Sequence, residues 1–153
     1  MRATARSSRA IASSWRSRSQ AQSAPNTSGR SSRGSASAAS LVAPGEVDWA
    51  DVLDGVKLFH VSGITPALSR SAAEATAEAI RAAKKAGCLV SYDLNYRKKL
   101  WTPEEALKCQ EPLMEMVDIL TTTEEDTGTV FGIRKPDYRQ VAKALAATFG
   151  LAA

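Results

Sequence analysis

The sequence predicts an α/β fold built on a parallel sheet, and three observations carry the prediction. Lys57–Val61 (KLFHV), Leu89–Tyr92 (LVSY) and Val117–Leu120 (VDIL) are short, mostly apolar runs of strand length. Each interval between them holds a segment long enough for a helix, the spacing that a crossover between parallel strands requires. The intervals are also punctuated as helices are: Gly87 follows the first, and Thr102-Pro103 opens the second. Three strands leave open edges and a small core. The sheet is therefore expected to be incomplete by itself, and association into homo-oligomers is compatible with it.

The 153 residues divide by composition before any element is placed. Residues 1–40 contain seven arginines, no lysine and no acidic residue, whereas the remainder holds 13 basic and 16 acidic residues. The formal net charge of +4 thus comes from the head. Residues 1–33, rich in Arg, Ser and Ala, lack the apolar residues to bury a core and are expected to be disordered. Basicity confined to such a tail argues against nucleic acid as the partner of the folded part, and Trp15 alone offers no stacking platform. An acid-free Arg/Ser-rich start is also the composition of an organelle import signal. The favoured reading is that residues 1–33 are foreign to a domain spanning 34–153, and that the protein is cytoplasmic. Cys88 and Cys109 have no CxxC spacing and read as reduced packing residues, not as a disulfide or zinc site. No apolar run reaches membrane-spanning length.

Taken in order, Pro44–Gly55 reads as a turn and a short helix stopped by Gly55. The strand Lys57–Val61 follows, and within it His60 is expected to be a packed, hydrogen-bonded histidine, not a base. Ser62 and Gly63 end the strand and are small enough to let a ligand or neighbouring backbone come close. Ser71-Ala72-Ala73-Glu74 has capping-box spacing before a helix running to Ala86. Ala72, Ala75, Ala79, Ala83 and Ala86, with Ile80, would give that helix a narrow face able to lie closely on a sheet. Thr102-Pro103-Glu104-Glu105 starts the next helix, expected to reach about Met116 with Pro112 kinking or shortening it. Thr123 to Asp126 repeats the capping spacing ahead of a short helix ended by Gly132. A last helix is expected over Asp137–Phe149, stopped by Gly150.

The most informative stretch is Leu89–Trp101, LVSYDLNYRKKLW. It begins as a strand and becomes polar where that strand should leave the sheet, which is the edge where ligands bind in open α/β sheets. If the segment stays extended, Asp93, Asn95 and Arg97 point the same way and present an acceptor, an amide and a fixed cation. That row could grip a polyhydroxylated acid. Equally, Asp93 and Asn95 could stabilise a turn while Arg97, Lys98 and Lys99 form a solvated basic edge.

SYDLNYRKKLW, preceded by SGITPALS at Ser62–Ser69 and followed by VDILTTTEEDTGTVFGI at Val117–Ile133, resembles the ribokinase-like (PfkB) carbohydrate kinases. Within them it is most similar to the 2-keto-3-deoxygluconate kinases. The resemblance runs from about Gly34 to Leu151 and implies a ribokinase-like three-layer sandwich, ATP and Mg2+ as cofactors, and a sugar acid as substrate. It implies substrate- or phosphate-binding roles for Asn95, Tyr96, Arg97 and Asp93, with Arg97 meeting a carboxylate or phosphate and Asp93 bracing the loop. The family's Asn-x-x-Glu, whose acid organises magnesium through water, falls on Thr123 and Asp126. Both depart from the pattern: Thr lacks the amide, and Asp is shorter than Glu. The Gly-Ala-Gly-Asp segment that would carry the general base has no counterpart in these 153 residues. The expectation is a partial sugar kinase without useful turnover by itself. A non-catalytic α/β interaction module with a basic tail is the alternative. A nicotinamide-binding domain is disfavoured, since no GxGxxG follows an early strand.

Overall fold

A computed structural model describes residues 37–151, which lie within the unit Ser35–Ala153. The expectations for residues 1–33 fall outside the described residues. Two short helices, α1 (Ala38–Leu41) and α2 (Trp49–Val52), precede strand β1 (Leu58–Ser62), and α3 (Ile64–Leu68) with α4 (Arg70–Lys85) lead to β2 (Leu89–Asp93). Helix α5 (Pro103–Met114), strand β3 (Ile119–Thr121), α6 (Glu124–Val130) and α7 (Tyr138–Phe149) follow. The strands form one parallel sheet in the order β1-β2-β3, with Phe59 opposite Val90 and Tyr92 opposite both Val61 and Leu120.

All three predicted strands form, with shifted ends. β1 and β2 each run one residue further, to Ser62 and Asp93, while β3 begins at Ile119 and not at Val117. Asp118 explains the late start. Its backbone N–H donates to the Val90 carbonyl at 2.9 Å, and its side chain turns back to accept from the Val90 N–H at 2.8 Å and from Lys84 at 2.7 Å. Burial alone would raise the Asp118 pKa. The Lys84 hydrogen bond, the Val90 amide and the Lys84 charge outweigh burial and hold it below the usual carboxylate value.

Side chains alternate across a strand, and this sheet uses only one of its faces for the core. Phe59, Val61, Val90, Tyr92 and Leu120 pack with Ile80, Ala83, Leu113, Met114 and Val117, and Tyr92, Ile80, Val90 and Met114 are completely buried. The opposite face carries Leu58, His60, Leu89, Ser91 and Ile119. His60 is exposed there, contrary to expectation. It is hydrogen-bonded as expected, through Nδ1 to the Ser91 hydroxyl at 3.0 Å, but its side chain lies outside the core.

The helix ends show where local signals compete. α4 starts two residues earlier than the Ser71 capping box implied, because Ser69 takes the cap: its hydroxyl accepts from the Ala72 N–H at 3.1 Å, and Glu74 pairs with Arg70 instead. The small-residue face holds for Ala72, Ala75, Ala79, Ile80 and Ala83, while Ala86 is exposed at the helix end. α5 has both halves of the capping box, Thr102 Oγ1 accepting from the Glu105 N–H and Glu105 Oε2 from the Thr102 N–H. It stops at Met114, two residues after Pro112. Asp137 caps α7, and Gly150 ends it in the left-handed region at φ +69°.

Both cysteines are free. Cys88 is buried with its thiol on the Val56 carbonyl, and burial pushes the Cys109 pKa up to about 11, so Cys109 is not poised as a thiolate. Among the described residues, no helix is long and apolar enough to cross a membrane.

Candidate functional site

The polar row at the C-terminal edge of the sheet follows from register. Ser62, Asp93 and Thr121 are aligned partners at the ends of β1, β2 and β3. Just beyond them the middle strand stops. Leu94 is completely buried and still tied to the sheet by its N–H on the Thr121 carbonyl, but Asn95 turns into the left-handed region at φ +39°. Asn is among the few non-glycine residues that enter this region at modest cost. Its Nδ2 donates to Ser62 Oγ at 3.0 Å, so the turn is held against β1.

This bend overturns the row expected from an extended segment. Asp93, Asn95 and Arg97 do not point the same way. Asp93 stays on the sheet edge, where its carbonyl accepts from the Gly63 N–H at 2.7 Å; Asn95 reaches toward β1, and Arg97 goes out with the loop toward α6. The Tyr96 N–H donates to Asp126 Oδ2 at 3.3 Å, and the Tyr96 hydroxyl donates to the Trp101 carbonyl at 3.2 Å, closing the loop on itself. An N–H from Leu100 to the Arg97 carbonyl at 2.9 Å makes the tip a tight turn. Arg97, Lys98 and Lys99 are left exposed at that tip.

Across from them lies the start of α6. Thr123 is its N-cap, with Oγ1 accepting from the Asp126 N–H at 3.0 Å. The other half of a capping box is missing, because the Asp126 carboxylate turns to Tyr96. Tyr96, Arg97, Lys98 and Lys99 face Glu125, Asp126 and Thr129 across an open groove of about 600 Å³. Of the residues expected in a site, Tyr96, Arg97 and Asp126 therefore come together there. Asp93, Asn95 and Thr123 serve the frame that holds them. Glu125 and Lys98–Lys99 complete the lining; Glu125 was hidden in the sequence because its position at the second turn residue of a helix start reads as simple initiation. A second groove of about 310 Å³ shares Glu125 and is lined also by Glu124, Arg134, Lys135, Pro136 and Val141.

The groove's chemistry is that of a cation–anion sandwich. Three basic side chains can meet the oxygens of a phosphate or carboxylate, Arg97 through a forked pair of hydrogen bonds. Glu125 and Asp126 on the other wall can meet a hydrated divalent cation. No group of three or more His, Cys, Asp or Glu side chains suited to a metal occurs among the described residues. Two carboxylates still fit magnesium, which keeps several waters and takes its remaining oxygens from a polyphosphate. The Thr123 hydroxyl oxygen accepts the capping hydrogen bond from the Asp126 N–H.

A buried polar pair ties β2 to α5. The Tyr92 hydroxyl donates to Gln110 Oε1 at 2.8 Å, and both residues are completely buried. Burial, then the nearby Cys109 and Asp93, keeps the Tyr92 pKa well above its ordinary value, so the phenol remains a donor. Gly63 lies directly on the Leu94 carbonyl and the Gln110 amide, with no room for a Cβ. The close approach expected at Gly63 is thus that of a neighbouring backbone.

Comparison with known proteins gives this arrangement its context. The model of the pfkB family carbohydrate kinases matches residues 32–152. The 2-dehydro-3-deoxygalactonokinase of Haloferax volcanii is 39% identical over 99 residues, 65% of this chain and 31% of that protein. The 2-dehydro-3-deoxygluconokinase of Thermoproteus tenax is 35% identical over 108 residues, 68% of this chain and 32% of that protein. Among solved structures, the 2-dehydro-3-deoxygluconokinase of Thermotoga maritima superposes with a TM-score of 0.66 and 40% identity, over 68% of this chain and 33% of that one. The chain spans about a third of the length of the relatives it matches. Its three parallel strands, the polar edge above them and the match over residues 32–152 agree, and the chain belongs to the pfkB family of carbohydrate kinases.

Proposed function

We propose that this chain supplies the anion- and metal-facing loops of an ATP-dependent kinase acting on 2-keto-3-deoxygluconate or a closely related sugar acid, and that the 153 residues alone bind but do not turn over. The observation that carries the reading is the groove in which Arg97, Lys98 and Lys99 face Glu125 and Asp126. Phosphoryl transfer depends mainly on positioning and on neutralising phosphate charge, and this groove has the groups for both. Magnesium bound with ATP would supply charge neutralisation between the phosphates. Arg97 would grip an oxygen pair on a phosphate or on the sugar acid's carboxylate, Lys98 and Lys99 would draw the anion in, and Asp126, which steadies the Tyr96 amide, would hold a hydrated magnesium. Asn95 holds the loop's direction through Ser62. The reading of binding without turnover rests on the Gly-Ala-Gly-Asp segment, which the resemblance assigns the general base and which these 153 residues do not contain.

The test is an NMR titration of the isotope-labelled chain with Mg·ATP, and separately with 2-keto-3-deoxygluconate, beside a coupled assay for ADP. Amide shifts at Tyr96–Lys99 and Glu125–Thr129 are expected with no ADP formed. Arg97→Ala should weaken the binding about tenfold, as for one charge-assisted hydrogen bond of about 1.4 kcal/mol. Unmoved resonances in the groove with both ligands would remove this reading.

A further inference from the structure

Glu125 stands between two sets of cations. On one side it faces Arg97, Lys98 and Lys99 across the larger groove, and on the other it shares the smaller groove with Arg134 and Lys135. Among the described residues it closes an ion pair with neither set. Its side chain is long and exposed, so rotation about its own bonds decides which set it neutralises. Arg134 has a prepared seat beside it. The arginine side chain lies across buried Gly128 of α6, where a Cβ would come within 3.0 Å of Nη1 and 3.1 Å of Cζ. Glycine is a poor residue for a helix interior, and here it leaves the room in which the guanidinium settles on the helix that carries Glu125. Arg97, Lys98 and Lys99 sit instead at the exposed tip of a turn.

We propose that Arg134 is a positioning residue for the larger groove: it draws Glu125 toward the smaller groove and so keeps that carboxylate from neutralising Arg97, Lys98 and Lys99 before an anion reaches them. The inference rests on the reading of the larger groove as an anion site. A carboxylate turned onto the tip competes with a phosphate for the same N–H donors, whereas one turned toward Arg134 and Lys135 leaves those donors open. Arg134 itself lines only the smaller groove and acts through Glu125. All of these cations and Glu125 are exposed, so the effect is modest in size and sensitive to salt.

The test is a double-mutant cycle in the 153-residue chain. Inorganic pyrophosphate is titrated in the presence of a metal chelator, and its affinity is read from the amide shifts of Tyr96–Lys99. At low ionic strength Arg134→Gln is expected to weaken binding about threefold, the scale of one exposed ion pair, and Glu125→Gln to tighten it. The double variant should bind as Glu125→Gln does, because Arg134 then has no carboxylate to hold. In about 0.5 M potassium chloride the effect of Arg134→Gln should disappear. Parent-like affinity of Arg134→Gln at low salt overturns the proposal while leaving the anion reading of the groove in place. An undiminished Arg134 effect in the Glu125→Gln background overturns it as well, since the arginine would then act on the anion directly. An effect that persists in high salt does the same by making Arg134 a structural support. If pyrophosphate moves no resonance at Tyr96–Lys99 in the parent, the anion reading falls and this inference falls with it.

Discussion

Gly63→Ala should damage this unit more than any other single methyl addition to its glycines with negative φ. The backbone is not the reason, since Gly63 sits at φ −61° and ψ −7°, where alanine is at ease. Alanine there even stabilises by about 0.5–1 kcal/mol through the unfolded chain. The obstacle is space. A Cβ would strike the Leu94 carbonyl oxygen and Gln110 Oε1, and neither is the free end of a flexible side chain. Leu94 is completely buried and tied to β3 through its N–H, while Gln110 is completely buried and holds the Tyr92 hydroxyl. Overpacking of this kind costs about 1–3 kcal/mol, and losing the Tyr92–Gln110 bond adds about 1 kcal/mol. The net loss is about 2–3 kcal/mol, or about 10 °C in Tm for a unit of this size. Circular dichroism melts of the full chain measure it. Gly87→Ala is the control, at φ +79° with open space around it, where the left-handed backbone alone should cost about 1 kcal/mol. A Gly63→Ala melt within about 2 °C of the parent, or above that of Gly87→Ala, would refute the packing account.

Other outcomes are expected at the caps, the bend and the carboxylate of β3. Thr102→Ala removes the acceptor for the Glu105 N–H and should lower stability by about 1 kcal/mol in urea titrations, with Thr102→Ser close to the parent. Asn95→Ala should lose the Ser62 hydrogen bond and add left-handed strain, together about 2 kcal/mol, whereas Asn95→Gly should recover the strain part alone; equal losses for the two would mean that the bend is unstrained. The Asp118 pKa is depressed on folding, so its contribution is complete above the unfolded carboxylate value near 3.9 and is lost as pH falls through the lower folded value. Asp118→Asn should therefore flatten the acid limb of a stability–pH curve below about pH 4. A parent-like acid limb in that variant would place the titration elsewhere.

The strands and most helices were legible in the sequence because their signals are local: apolar runs, Thr102-Pro103 with Glu105, Asp137, Gly87 and Gly150. What was not legible depended on contacts between distant residues. Ser69 displaced Ser71 as the cap of α4, though both carry a hydroxyl; Ser69 alone also reaches the Ser40 carbonyl, 29 residues away. His60 reads as buried in any apolar strand, and its exposure follows only from which face of the sheet the helices cover. The site was half legible. Arg97, Tyr96 and Asp126 were found by motif, but the alternation that grouped Asp93, Asn95 and Arg97 assumed an extended backbone, and a single residue at φ +39° undid it. Glu125 needed the approach of the loop to α6, which no spacing reveals.

The Lys84–Asp118 contact bears on how this unit should be engineered. By exposure it is a surface ion pair, of the kind that charge-redesign schemes exchange freely and that ordinarily contributes little. Yet the same carboxylate holds the amide of Val90, a completely buried residue of the central strand, one step before the β2–β3 ladder begins. Position 118 is in effect a side-chain rung of the sheet, and Lys84 its outrigger on α4. A surface-charge library that treats the two positions alike would find Lys84 permissive and Asp118 nearly invariant.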